Sequence, residues 1–133
     1  TNRLRFCNAG HPYPLLIAPD GTVSFFKTAD NLPLGVTSDY DYEEQECYFA
    51  PGSQLLFYTD GVSEAQNEQS KFYKIDRLFN LVVSHSQLAP RQMVDKVVGD
   101  VKRFVGKTEQ SDDLTVMSFR LNPRGKKKIE GLL

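Results

Sequence analysis

Apolar and polar positions alternate in short runs through the first half of the chain. Leu4-Arg5-Phe6-Cys7 alternates, Leu15-Leu16-Ile17 follows the bend at His11-Pro12-Tyr13-Pro14, and Val23-Ser24-Phe25-Phe26 comes next. Between the last two lies Pro19-Asp20-Gly21, where Pro presets φ and Gly accepts a positive one, so they form a hairpin. Residues 31–35 are a loop, and residues 42–49 predict a polar strand, solvated on one face or at an edge. After the Pro51-Gly52 turn, residues 54–58 are almost continuously apolar, as in a central strand. The period then changes. Ile75, Leu78, Phe79 and Val82 recur at i, i+3, i+4 and i+7, predicting an amphipathic helix over residues 74–84. Pro90 suits the first turn of a second helix, whose stripe is Met93, Val94, Val97, Val98, Val101, Phe104 and Val105, and Gly106 ends it. Residues 114–121 alternate again and predict a returning strand. The fold class expected is α+β, with helices on one face of an antiparallel sheet.

At 133 residues, with 40% hydrophobic and 25% charged residues, the chain is an ordinary globular length and composition. Sixteen basic and seventeen acidic residues nearly cancel, so global charge points to neither nucleic acid nor membrane. No apolar run reaches the roughly 20 residues of a bilayer span. The start, Thr1-Asn2-Arg3-Leu4, has no signal-peptide h-region and no initiator Met, and the chain is expected to be a fragment of something longer. Cys7 and Cys47 could pair but are expected to be buried free thiols, and with no CxxC or Cys/His cluster a zinc site is not expected. Residues 122–133 form a tail with a small basic run, Arg124, Lys126, Lys127 and Lys128, expected to be a solvated end.

The candidate chemistry is acidic. The strand over residues 54–58 ends in Thr59-Asp60-Gly61, and Asp112-Asp113 precede the last strand. A carboxylate at a sheet rim escapes unpaired burial, and two such groups are what a hard-cation site requires. Taken singly, Asp60 is equally a turn cap, since Asp-Gly is a common turn dipeptide. Asp112 and Asp113 are equally strand-entry caps, and Glu64 equally caps a short helix after the turn. An apolar run ending in Asp also occurs in nucleotide-binding strands, but the chain has no GxxxxGK[ST] loop.

Five segments change the balance. Asn8-Ala9-Gly10-His11-Pro12, Leu32-Pro33-Leu34-Gly35, Pro51-Gly52-Ser53, Tyr58-Thr59-Asp60-Gly61-Val62-Ser63-Glu64-Ala65 and Gln110-Ser111-Asp112-Asp113-Leu114-Thr115 occur in that order. Together they resemble the metal-dependent protein serine/threonine phosphatases, the protein phosphatase 2C-like family, in its stage II sporulation protein E branch. The resemblance covers residues 4–121. It implies part of an α-β-β-α sandwich, residues 1–121 being the C-terminal part of the domain with its N-terminal elements absent. It also implies two Mn²⁺ or Mg²⁺ ions held by aspartates, and a bridging water that attacks a phosphoserine or phosphothreonine. Asp60 and Asp112 match the family's metal ligands. Asp113, Gly61, Asn8 and His11 fall beside or behind them, with Gly10 in the same motif as Asn8 and His11. For His11 alone, a packed or hydrogen-bonded role is favoured over a ligand.

The bridging aspartate of the family's first acidic motif would lie upstream of Thr1, and Asp20-Gly21, in a hairpin turn, does not replace it. This segment is therefore expected to carry about half of a metal site and to be inactive alone. An uncovered sheet face would favour a homo-oligomer. The parent implied is a cytoplasmic bacterial signalling phosphatase whose substrate resembles a phosphorylated anti-sigma-factor antagonist. The alternative is a catalytically inert phosphatase-like binding module.

Overall fold

A computed structural model describes residues 2–109 and 112–123. The strands are β1 (Arg3–Phe6), β2 (Leu15–Ile17), β3 (Val23–Phe25), β4 (Gln45–Tyr48), β5 (Gln54–Tyr58) and β6 (Val116–Arg120). The helices are α1 (Asp60–Ser63), α2 (Ile75–Ser84) and α3 (Pro90–Val105), and β6 follows α3 in the chain. Among the described residues every strand pairing is antiparallel, in a two-stranded sheet β1-β4 and a four-stranded sheet β3-β2-β5-β6. The expected mixture of helices and antiparallel sheet is present. The basic run from Arg124 to Lys128 lies outside the described residues, as do Gln110 and Ser111 of the last acidic motif.

β5 is central because both of its faces are apolar. Leu56 and Tyr58 join Leu15 and Ile17 in a core shared with Leu78 and Val82 of α2 and Met93, Val97 and Val101 of α3. Fully burying a leucine such as Leu56 or Leu78 contributes roughly 2 kcal/mol. Leu55 and Phe57 face the other way, with Phe119 of β6 stacked on Phe57. Opposite them stand Leu4 and Phe6 of β1 and Phe26, around a cleft of about 200 Å³. The layers are helices, four-stranded sheet, aromatic layer and two-stranded sheet.

Two expected strands are shorter than their patterns, for one reason. The expected strand over residues 42–49 is ordered as strand only over Gln45–Tyr48. The Glu43 amide donates to the Asn31 side chain at 2.9 Å, and Tyr42 packs edge-on against Tyr40, so a loop replaces the ladder. The last strand begins at Val116 instead of residue 114. Upstream of it, the Thr115 and Asp113 amides donate to the Thr59 hydroxyl and the Asp112 carboxylate. Side chains compete for backbone donors at both places. The cysteines are free, but the expected burial fails: Cys7 is exposed and Cys47 is half-buried, because β1 and β4 form a thin layer with one face to solvent.

One polar group interrupts the apolar stripe of α3. Asp100 is buried between α2 and α3, where it accepts hydrogen bonds from Tyr73 Oη (2.7 Å), Arg77 Nε (3.0 Å) and Arg103 (3.3 Å). Arg77 lies over the rings of Tyr73 and Phe104, 5.1 and 4.8 Å from their centroids. Burial on its own would raise the Asp100 pKa. The donors from Arg77, Tyr73 and Arg103 outweigh it and bring the value from 3.8 down to about 2. A carboxylate depressed in the folded state stabilises above its unfolded pKa, and that contribution disappears as pH falls through the folded value. Asp100→Asn is expected to cost about 2 kcal/mol at neutral pH. The gap between variant and wild type should shrink between about pH 4 and pH 2, as urea unfolding across that range would measure.

Lys74, just before α2, has φ 67° and ψ 151°, a region that favours glycine. Lys74→Gly relieves that strain and is expected to stabilise by about 1 kcal/mol, read as a rise in thermal midpoint.

Candidate metal centre

The sheet presents Asp60 at the end of β5, where the strand passes directly into α1. The expected Asp-Gly turn is instead the first turn of a helix: Asp60 opens α1, and Gly61 is not among the glycines of positive φ. A carboxylate in a helix's first turn is electrostatically favoured there. Glu64 follows as the C-terminal cap, its amide donating to the Asp60 carbonyl at 2.8 Å.

Gly61 earns its place by contact rather than by torsion. A Cβ there would overlap the Asp113 carbonyl oxygen and come within 2.9 Å of the carbonyl carbon. The missing side chain lets the Asp112-Asp113 segment lie directly on the start of α1. Thr59, to which the sequence assigned no role, sews the junction. Its amide donates to the Thr115 carbonyl (3.1 Å), its hydroxyl donates to the Asp113 carbonyl (3.4 Å), and it accepts from the Thr115 amide (3.2 Å). A hydroxyl immediately before an Asp at a strand end is the signal that would have found it.

Asp60, Asp112 and Asp113 are all exposed, at the same end of the β5-β6 pair. The Asp112 carboxylate accepts the Asp113 amide at 2.7 Å, which orients the side chain. Burial first, and the nearby Asp60 charge second, hold the Tyr58 phenol above its ordinary pKa.

Asn8 and His11 serve a neighbouring loop. The Asn8 side chain accepts the His11 amide (2.7 Å) and donates to the His11 carbonyl (2.8 Å) and to Thr28 Oγ1 (2.7 Å). The His11 ring meets Phe57 edge-on at 5.7 Å and contacts the Pro12 carbonyl through Nδ1. The loop is thus tied to β5 three residues ahead of Asp60. Gly10, at φ 87°, would place a Cβ 2.6 Å from Pro33 Cγ, so the Asn8-to-Pro12 and Leu32-to-Gly35 motifs meet there.

The donor chemistry suits a hard divalent cation, since exposed carboxylates from two segments lie at one end of the β5-β6 pair. Among the described residues, no group of three or more His, Cys, Asp or Glu is placed to hold a metal ion.

Comparisons with known proteins agree with this fold. Phosphoserine phosphatase RsbU of Bacillus subtilis (strain 168) is 23% identical over 119 residues, covering 90% of this chain and 35% of RsbU. The SiaA-PP2C domain of Pseudomonas aeruginosa superposes with a TM-score of 0.69 at 26% identity, over 91% of this chain and 47% of that one. The manganese-presoaked phosphatase domain of the cell fate determinant SpoIIE from Bacillus subtilis gives 0.59 at 18% identity, over 90% and 51%. The chain thus spans about a third of its curated relative RsbU. The profile of the Stage II sporulation protein E (SpoIIE) family matches residues 1–122, and the chain belongs to that family.

Proposed function

We propose that this chain is the C-terminal part of a divalent-metal-dependent protein phosphatase acting on phosphoserine or phosphothreonine, with Asp60 and Asp112 as its contribution to the metal ligands. The observation that carries the reading is the close approach at Gly61, which fixes the Asp112-Asp113 segment against the helix opened by Asp60. Support comes also from RsbU, a phosphoserine phosphatase by name, and from the manganese-presoaked SpoIIE domain.

Mn²⁺ or Mg²⁺ bound there would supply an activated water and neutralise phosphoryl charge. The residues of this chain have simpler tasks. Asp60 and Asp112 present carboxylate oxygens, Asp113 is held beside them by its own amide, and Thr59 and Gly61 keep the two backbones in register. Asn8 and His11 shape the adjoining loop. In this reading the remaining ligand comes from an upstream acidic motif, so the segment alone has no useful turnover. The substrate is a phosphoprotein resembling an anti-sigma-factor antagonist, in a cytoplasmic partner-switching circuit. Among the described residues no helix is long and apolar enough to cross a membrane.

Calorimetric titration of Mn²⁺ into this chain and into a version extended upstream tests the proposal, with hydrolysis of p-nitrophenyl phosphate followed in parallel. Tight binding and turnover in the extended version alone are expected. Absence of both from the extended version would favour an inert phosphatase-like binding module instead.

A further inference from the structure

α1 is a single turn of four residues with no side-chain hydrogen bond at its N-cap, and so short a helix does not hold itself. Its N-terminal side is fixed by the Thr59 and Gly61 contacts. Its C-terminal side is fixed by a returning segment. The Lys74 amide donates to the Ser63 carbonyl and the Tyr73 amide to the Ala65 carbonyl, both at 2.8 Å, with an isolated bridge between Gln66 and Phe72. The Asn67 side chain closes the turn by accepting the Gln69 and Lys71 amides.

This returning segment is anchored elsewhere. Tyr73 is 2% exposed, its ring meets Phe104 edge-on at 5.4 Å, and its hydroxyl donates to Asp100 of α3. Arg77 covers the same ring while binding Asp100. Lys74, whose amide holds Ser63, has a positive φ of 67°, as does Ser70 (58°) in the turn before it. A lysine keeps such torsions only where its surroundings over-determine them. The strain therefore marks a junction pulled from both sides, by α1 on one and by the Tyr73 anchor on the other.

We infer that Tyr73, Asp100 and Arg77 are positioning residues for the cation site, bracing α1 through the Tyr73-Lys74 peptide so that Asp60 is held at the end of β5. The inference rests on the proposed metal role of Asp60. It adds a link from α3 to that ligand that the acidic motifs do not contain. A change in the α2-α3 packing would be transmitted to metal affinity along this path.

The test uses the upstream-extended protein, with Mn²⁺ titrated by calorimetry well below each variant's unfolding temperature. Tyr73→Phe keeps the ring and removes the hydroxyl. It is expected to weaken Mn²⁺ binding about threefold, less than the roughly tenfold that losing a direct hydrogen-bond partner of a ligand costs, with turnover on p-nitrophenyl phosphate recovering at saturating Mn²⁺. Asp100→Leu should match or exceed that loss, and Asp100→Asn, which keeps an acceptor for Tyr73, should restore part of it. Hydrogen exchange of the Lys74 amide should accelerate in Tyr73→Phe while the Val97 and Val101 amides stay protected. A lowered unfolding temperature with Mn²⁺ affinity unchanged in Tyr73→Phe would overturn the inference, leaving the network purely structural. Asp60→Asn is run beside it. If that variant binds Mn²⁺ like wild type, the metal reading itself fails and the brace fails with it, for a cause visible in that arm alone.

Discussion

In the upstream-extended protein, Asp60→Asn is expected to lower metal-dependent hydrolysis of p-nitrophenyl phosphate by about a thousandfold, equivalent to roughly 4 kcal/mol of transition-state stabilisation. Asparagine keeps the shape but removes the charge that a hard cation needs. Asp60 is exposed, so the unfolding temperature should hardly move, which separates lost chemistry from lost fold. Asp112→Asn should behave alike in activity. Its stability should hardly move either, because asparagine keeps an oxygen that can accept the Asp113 amide. Initial rates over a Mn²⁺ series, with a thermal melt of each variant, decide the matter. Near-wild-type rates in both would remove these residues from the metal site.

Gly61→Ala is expected to be the most damaging single methyl group in the described residues near the site. The added carbon would overlap the Asp113 carbonyl oxygen, a backbone atom that no rotamer change can clear. Relief requires α1 and the Asp112-Asp113 segment to separate. That movement breaks the Thr59 contacts to Asp113 and Thr115. The cost should be about 3 kcal/mol, the upper end of ordinary overpacking, because the collision is backbone against backbone. Urea unfolding measures it directly. The same variant should lose Mn²⁺ affinity at temperatures where it is still folded. Gly35, whose Cβ position is open, makes the contrast: its substitution strains a positive φ without touching either aspartate.

Much of the fold was legible because its signals are periodic. The stripe of Leu78 and Val82 and that of Met93, Val97 and Val101 both turn inward as the spacing requires. Residues 54–58 are apolar on both faces and stand in the middle of the larger sheet. Strand ends were less legible. At Glu43, Asp113 and Thr115 a backbone amide is claimed by a side chain, and hydrophobic alternation carries no record of that competition. Cys7 was misplaced because apolar alternation does not say how thick a layer lies above it. At the candidate site, the sequence read Asp60-Gly61 as a turn dipeptide, whereas Asp60 opens a helix and Gly61 allows a close backbone approach. It passed over Tyr73 and Asp100 entirely, although a carboxylate three residues after Val97 on a buried stripe was the visible clue.

The seam between β5 and β6 has a consequence for how the protein is made. Gln54 pairs with Arg120, and Tyr58 with Val116, so this pairing closes a long stretch of chain. Loop-closure entropy makes such non-local pairings slow relative to local hairpins and helices. Asp60 leaves the ribosome well before Asp112 does. Until β6 docks, the β5-β6 ladder that sets the two acidic segments at one end of the sheet is absent. On the proposed metal role of Asp60 and Asp112, metal capture would therefore wait for the docking of β6 onto β5. On that same reading, a trapped intermediate with β6 undocked would retain its helices and show no manganese response.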